Sequence, residues 1–366
     1  MNTKIVGCLL LVLAVMGCSE KKVAHTETLF VGTYTDGTSE GIYTLQFNAE
    51  TGALDSLQLK AKLPNPSFLA VSEVGDYLYA VQETADFDSL GGGVTAFSLE
   101  NGVLEKLNSK GSGGAHPCHA ALSGDGQLAV SNYSGGNLAI FDLEVGGELG
   151  QRQLIDHKAL DTTRQAHTHK AHFSNNELFA ADLGLDAVKR YQKKEDEWRP
   201  AAQASLDLPN GAGPRHFVFN DDQSRLYVIN ELNSTITLFE KDEQGSYEER
   251  QTVQTLADDY GANNSCADIH LSPDGRFLYG SNRGENTIVI FAVDAASGEL
   301  VLVGRESVHG DWPRNFVLDP SGNHLLVANQ NSNNISVFKR DTDKGTLHFL
   351  NSFELGSPVC LVFLKQ

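Results

Sequence analysis

The 366-residue chain is short of cysteine, short of basic groups, and without any apolar run long enough to cross a bilayer as a helix. Its five cysteines, at positions 8, 18, 118, 266 and 360, are too few and too scattered for a disulfide framework. The last three fall at equivalent places in a repeat and read as small packing residues. Lys and Arg total 28 against 47 Asp and Glu, a formal charge of −19. No Lys/Arg-rich run offsets that balance, so the surface repels nucleic acid and anionic lipid, and both are excluded as electrostatic partners. No helical apolar period runs anywhere in the sequence. What is present is a chain that is 40% hydrophobic, enough to bury a sizeable core.

The opening MNTKIVGCLLLVLAVMGCSEKK sets Lys4 before an apolar run from Ile5 to Met16, followed by Gly17-Cys18. A run of about 12 residues falls short of the roughly 20 that a spanning helix needs. It fits a secretory signal instead. The VMGC junction resembles a bacterial lipoprotein signal, which implies a signal over residues 1–17, a lipidated Cys18, and a polar tether over 18–28. Acyl chains contribute about 0.8 kcal/mol per buried methylene, so a multiply acylated Cys18 anchors a protein firmly to a membrane of the cell envelope. No other contact with membrane is expected.

From residue 29 to 366 the sequence repeats. GDYLYAVQE, DGQLAVSNY, NNELFAADLG, QSRLYVINE, DGRFLYGSNRG and SGNHLLVANQ each join a turn signal to an apolar strand with a polar end, and the N-terminal TLFVGTYT matches the strand part. The polar ends Thr33, Gln82, Asn132, Asp182, Asn230, Asn282 and Asn329 recur at spacings of 47 to 52 residues. A second repeat precedes them by about fifteen residues: NPSFLAVS, HPCHAALS, HTHKAHFS, GPRHFVFN, NSCADIHLS and WPRNFVLD. Its seventh copy, SPVCLVFL, ends the chain with no partner downstream. Further strands follow each pair, often with a Gly-x-Leu turn, as at Gly52, Gly102, Gly298 and Gly345. Four short strands every fifty residues predict an all-β, seven-bladed β-propeller, its ring closed by pairing the N-terminal strands with the C-terminal strand.

In such a ring the first strand of each blade lines a central channel and begins at one face. Arg215 and His216 start one of these strands, with Phe217 and Phe219 continuing into blade packing. Equivalent starts bring Ser67, Cys118-His119, His167/His169, Cys266, Arg314-Asn315 and Val359 toward the same mouth. The second strands end there with Asn132-Tyr133, Asp182, Asn230-Glu231, Asn282-Arg283 and Asn329. Arginine's planar fork suits carboxylate or phosphate oxygen, so the mouth is expected to hold a small anionic ligand.

The motifs GTYT, NPSFLAVS, HPCHAALSGDG, NYSGG, HTH, ADLGLDAVKRY, GPRHFVFN, YVINEL, LSPDGRFLYGSNRG and WPRNFVLDPSGNHLLVANQ resemble the seven-bladed lactonase family. That family groups bacterial 6-phosphogluconolactonase with fungal carboxy-cis,cis-muconate lactonizing enzyme. The resemblance runs from about Thr28 to Lys365. It implies a cofactor-independent enzyme acting on a small lactone or sugar acid, with catalytic groups at His167, Arg215, Glu231 and Arg283; a monomer is expected. His169, two residues along the same strand face, is an alternative to His167. His119, His169, His216, Arg314, Asn132 and Asn282 are expected to bind substrate, and no metal is expected. Lactone hydrolysis needs a base to deprotonate water, a role open to Glu231 or His167, with Glu231 favoured because neighbouring arginines keep it ionised. Arg215 and Arg283 would hold the oxyanion and the substrate's acidic group.

Other readings stay open at this point. Two imidazoles at HxH spacing are also a metal-ligand pattern, completed by His119, His172 or Asp182. Arg215 and Glu231 could be a structural ion pair, Arg283 a solvated turn residue, and the asparagines turn formers. An exported propeller could bind without catalysing, or the chain could be a lactonizing enzyme for a carboxylated diene acid. A metal-dependent sugar lactonase of the six-bladed type is disfavoured by the seven-fold count. The lactone that names the bacterial family arises in the cytoplasm, whereas the signal exports this chain, so a lactone of the envelope is the expected substrate. For the anchor, a clickable fatty acid fed to expressing cells should label the wild type and leave Cys18→Ala unlabelled; label on both, or on neither, removes the lipoprotein assignment.

Overall fold

The computed structural model describes residues 26–364. They form seven four-stranded antiparallel sheets, each strand order running outward from the strand that begins the second repeat. The seven innermost strands are Pro358–Phe363, Leu69–Val71, Pro117–Leu122, Thr168–Ser174, Pro214–Phe219, Ser265–Leu271 and Pro313–Leu318, here blades 1 to 7 in that order. Each contacts the next, and the last contacts the first, so the sheets close into a ring. Blade 1 holds both ends of the described chain: Pro358–Phe363 pairs antiparallel with Thr26–Thr33, with Leu29 opposite Phe363. The expected seven-bladed propeller and its closure are therefore observed. The first strand starts at Thr26, so the last three residues of the expected tether, 26–28, already belong to the sheet. Cys18 and the signal lie outside the described residues.

Radial position follows from composition. A second strand such as Arg225–Asn230 (RLYVIN) is apolar along nearly its whole length because neighbouring blades cover both its faces. The outermost strand of the same blade, Tyr247–Gln254 (YEERQTVQ), alternates and leaves its charged side chains in water. The Gly-x-Leu turns place Gly52, Gly102, Gly298 and Gly345 at φ of 73 to 75°, in the left-handed region that glycine adopts without strain. Some of these turns also join blades: the Tyr227 hydroxyl donates to the Gly298 carbonyl at 2.8 Å and Tyr279 to Gly345 at 2.9 Å.

Two local devices aim the channel residues. Five inner strands enter through a proline, and the residue before it, Asn65, His116, Gly213, Trp312 or Ser357, has positive φ. For a bulky side chain such as Trp312, at φ 67°, that conformation is strained. Directly afterwards the ladder slips. Pro214 pairs with Asn230 but His216 with Ile229, leaving Arg215 as the extra residue of a β-bulge. The same slip isolates Cys118, Arg314 and Val359. In blades 4 and 6 two residues oppose one, His169-Lys170 and Ala267-Asp268. Bulges bend a strand and re-aim side chains, which is how two consecutive residues such as Arg215 and His216 are both turned toward the channel.

Closure through the last strand carries a test. Phe363 is buried and meets Phe47 edge-on with ring centroids 5.4 Å apart. Phe363→Ala should cost about 3–5 kcal/mol by the usual cavity rule, whereas Val301→Ala, on an exposed outer strand, should stay within about 0.5 kcal/mol. Urea midpoints of the two variants check this, and equal midpoints would remove the closing strand's role.

Candidate active site

Three tiers of side chains surround the channel mouth, each with one member per blade. The outermost follows the polar end of the second strand: Tyr34, Glu83, Tyr133, Leu183, Glu231, Arg283 and Gln330. Beneath it lies the tier of bulge residues and their equivalents: Val359, Ser67, Cys118, His169, Arg215, Ala267 and Arg314. The third tier comes one residue later: Cys360, Phe68, His119, Lys170, His216, Asp268 and Asn315. A cavity of about 220 Å³ is lined by Glu83, Tyr133, Glu231 and Arg283 of the outer tier and by Cys118, His169, Arg215 and Arg314 of the second.

Glu231 organises one side. Its Oε2 lies 2.8 Å from Arg283 and 3.0 Å from Arg215 Nε, the latter a charge contact set off the line of a hydrogen bond. Arg215 also donates to the Ala267 carbonyl at 2.6 Å, and Arg283 to the carbonyls of Ser265 and Cys266, each at 3.1 Å. The strained Trp312 ring lies 5.2 Å from the Arg283 guanidinium, near enough for a cation–π contact. Burial, then the charges of Arg283 and Arg314, bring Arg215 down to about 9, which leaves it charged at neutral pH. Glu83 organises the other side: Tyr34 donates to its Oε2 at 2.9 Å, Ser67 donates to the same oxygen, and Arg314 stands 3.6 Å away. Arg314 makes no hydrogen bond to protein among the described residues. Burial opposes its charge, but Tyr34 and Glu83 outweigh that and hold it above the usual arginine value. Three guanidinium groups against two carboxylates give the mouth a surplus positive charge on a strongly acidic protein.

The third tier is a buried floor. Asp268 accepts from His216 Nδ1 at 2.7 Å, His270 Nε2 at 3.1 Å, Asn315 Nδ2 at 2.6 Å and two backbone N–H groups. Burial works to raise its carboxyl, yet His270 and His216 hold it well below the usual range. Burial first, then neighbouring cations and imidazoles, push His119 and His169 far below the ordinary histidine value and His216 to about 3. All three rings are therefore neutral at physiological pH.

Of the residues expected to be catalytic, Arg215, Glu231 and Arg283 come together at the cavity. His167 does not line it. Its ring stacks on Tyr133 at 4.5 Å, with Nδ1 3.1 Å from the Tyr133 carbonyl. The register makes His169 the counterpart of Arg215, so His169 occupies the wall and His167 sits one residue before the strand. Among the expected binding residues, Arg314 and His169 line the cavity, while His216 and His119 lie in the tier below. Asn132 and Asn282 are corrected: both are fully buried, bonded to Ser112 O and Asn137, and to Thr255 O, Glu285 and Thr287. Strand alternation turns the asparagine into its blade and the next residue, Tyr133 or Arg283, toward the cavity. Cys266 is likewise one residue out of line, since Ala267 is the counterpart of Arg215. Cys118, Cys266 and Cys360 are free and buried, and burial pushes their thiols up, to about 11 for Cys266 and about 12 for Cys360. Among the described residues no group of three or more His, Cys, Asp or Glu side chains is placed to hold a metal ion. Sequence reasoning missed Glu83, Tyr34 and Asp268. Glu83 was legible, for it follows Gln82 as Glu231 follows Asn230.

Residues 28–363 match the family model described as lactonase, 7-bladed beta-propeller. The 6-phosphogluconolactonase of Bacillus subtilis is 36% identical over 348 residues, 92% of this chain and 98% of that protein. That of Formosa agariphila is 37% identical over 351 residues, covering 88% and 95%. The solved periplasmic gluconolactonase of Pseudomonas aeruginosa superposes with a TM-score of 0.87 at 33% identity, over 93% of this chain and 99% of that one.

The neutral histidines predict acid lability. A group whose folded pKa is depressed binds fewer protons folded than unfolded, so stability is lost as pH falls below the unfolded value of about 6.5. Urea midpoints measured from pH 7.5 to 5 should decline, and His119→Asn should make the decline shallower by about one proton. An unchanged slope would mean that His119 titrates normally in the fold.

Proposed function

The chain belongs to the seven-bladed β-propeller lactonase family, and from that membership and the mouth's geometry we propose that it hydrolyses a small sugar-acid lactone in the cell envelope. The observation that carries this reading is the cavity of about 220 Å³ walled by Arg215, Arg283, Arg314, Glu83 and Glu231. It is smaller than the roughly 300–1,000 Å³ of drug-sized sites and suits a single sugar ring. The surplus positive charge suits a ligand that gains negative charge as it reacts, since hydrolysis converts a neutral ester to an oxyanion and then to a carboxylate. Arg314, with donors not spent on protein oxygens, is the group to bind the carbonyl oxygen. Arg215 and Arg283, locked by Glu231, orient the ring substituents. Fixed guanidinium groups stabilise developing charge without reorganising.

The names of the relatives support this chemistry: two are 6-phosphogluconolactonases and one is a periplasmic gluconolactonase. The last also supports an envelope location, in keeping with the expected signal and lipidated Cys18. No cofactor is required, because the mouth supplies acid, base and anion-binding groups from the chain itself. The test is a hydrolysis screen over phosphorylated and unphosphorylated aldonolactones. Arg215→Ala and Glu231→Gln should each lower kcat/KM by about 10²–10³-fold, and EDTA should leave the rate unchanged. Variants as fast as the wild type would remove the site from the reaction, and loss of activity in EDTA would restore the metal-dependent alternative.

A further inference from the structure

Below the main cavity lies a small recess between the second and third tiers. Its walls share Cys118, His169, Arg215 and Arg314 with the cavity above, and His216 lines it from below. The space open to the centre of a water-sized sphere is about 10 Å³, close to what one water molecule needs. His216 Nε2 and His169 Nδ1 are buried with no hydrogen-bond partner among the described residues, and the two rings are 5.0 Å apart. An ionised carboxylate only accepts, so the bond to Asp268 Oδ1 fixes the proton of His216 on Nδ1. That leaves the Nε2 lone pair of a residue lining the recess without a partner among the described residues.

From this arrangement we propose that His216, oriented by Asp268, is the general base of the lactonase reaction, and that the recess holds the attacking water between His216 and His169. The inference rests on the hydrolase reading. It moves the base from Glu231, whose Oε2 is engaged by Arg215 and Arg283, to a group that sequence comparison offers only as a substrate contact. The water oxygen bonds to the lactone carbonyl carbon while its proton passes to His216 Nε2. The carbonyl π pair becomes an oxyanion beside the guanidinium groups. When that pair returns, the bond from the carbonyl carbon to the ring oxygen breaks, and the departing oxygen takes the proton from His216. One water is consumed, the imidazole is regenerated, and the acid product ionises. Burial and the Arg215 charge disfavour imidazolium in the resting protein. The base is thus neutral before attack, and Asp268 offsets the charge that forms during it. Asp268 is a positioning residue, fixing tautomer and ring plane.

The test uses the purified chain with glucono-δ-lactone, and gluconate binding as the check that each variant keeps its site. His216→Gln and His216→Gly should lose about 10²–10⁴-fold in kcat with gluconate affinity within twofold, and imidazole should restore turnover to His216→Gly but not to Glu231→Gln. Asp268→Asn should lower kcat with KM nearly unchanged. Full activity in either His216 variant overturns the proposal. So does a slow His216→Gly that imidazole fails to rescue, since a merely structural histidine gives that result. A wild type inactive on every lactone tested takes down the hydrolase reading and this one together. A Glu231→Gln chain that is slow beside an unaffected His216→Gln leaves the hydrolase reading standing and sinks only the base assignment.

Discussion

Everything at the channel mouth depends on one pairing, that of the C-terminal strand Pro358–Phe363 with the N-terminal strand Thr26–Thr33. Each blade leaves its innermost strand with one free face toward the axis and only neighbours to hold it there, so an open ring would present an unpaired sheet edge to solvent. With the ring closed, all seven inner strands start at the same face, and any residue at a given register position is carried to the same height around the axis. Arg215, Arg283 and Arg314, separated by up to a hundred positions in the chain, meet for that reason and no other.

Pseudo-symmetry also explains which parts were legible in the sequence. The repeat of about fifty residues, the strand order and the closure can be read because apolar strands, turn glycines and polar strand ends recur, and each is fixed by local physics. Arg215 and Arg314 could be read because charged residues at a strand start conflict with burial unless a wet mouth receives them, and Glu231 and Arg283, at the ends of second strands, through the family resemblance. What could not be read is the half-turn of side-chain direction. A β-bulge leaves no compositional signature, so His167 looked as well placed as His169, and Cys266 stood in for Ala267. The asparagines were misjudged through the opposite error: a polar residue at a strand end looks like a ligand contact, yet Asn132 and Asn282 spend their amides on their own blades. Asp268 was hidden because it sits within an otherwise ordinary strand, and only the ring brings His216 to it.

The site concentrates the few cations of an acidic chain. Burying a guanidinium is costly unless its donors are used, and here backbone carbonyls at blade starts take several of them: Ala267, Ser265 and Cys266. Of these only Ala267 lies in the bulge of blade 6; Ser265 and Cys266 precede it, in register with Arg283 and Asn282. The start of blade 6 thus supplies the acceptors that make inward-facing arginines tolerable in blades 5 and 6. Blade 7 lacks that provision for Arg314, whose charge is balanced instead by Glu83 across the mouth, and whose guanidinium donates to no protein oxygen among the described residues.

The floor beneath follows a different rule. Its carboxylate, Asp268, accepts five hydrogen bonds and also feels the Lys170 amine, while the imidazoles of His119, His169 and His216 are kept neutral chiefly by burial. The surplus positive charge of the upper tiers and the buried carboxylate of Asp268 beside His216 set up a local field, to which the Lys170 amine of the third tier also contributes. A proton arriving at His216 is repelled by Arg215 and attracted by Asp268, and the same field draws an oxyanion upward, toward the guanidinium groups. Separating the two charges that hydrolysis creates is the step that water performs poorly, because its dipoles must first reorient. In this chain the separation is built into tiers one residue apart on the same strands.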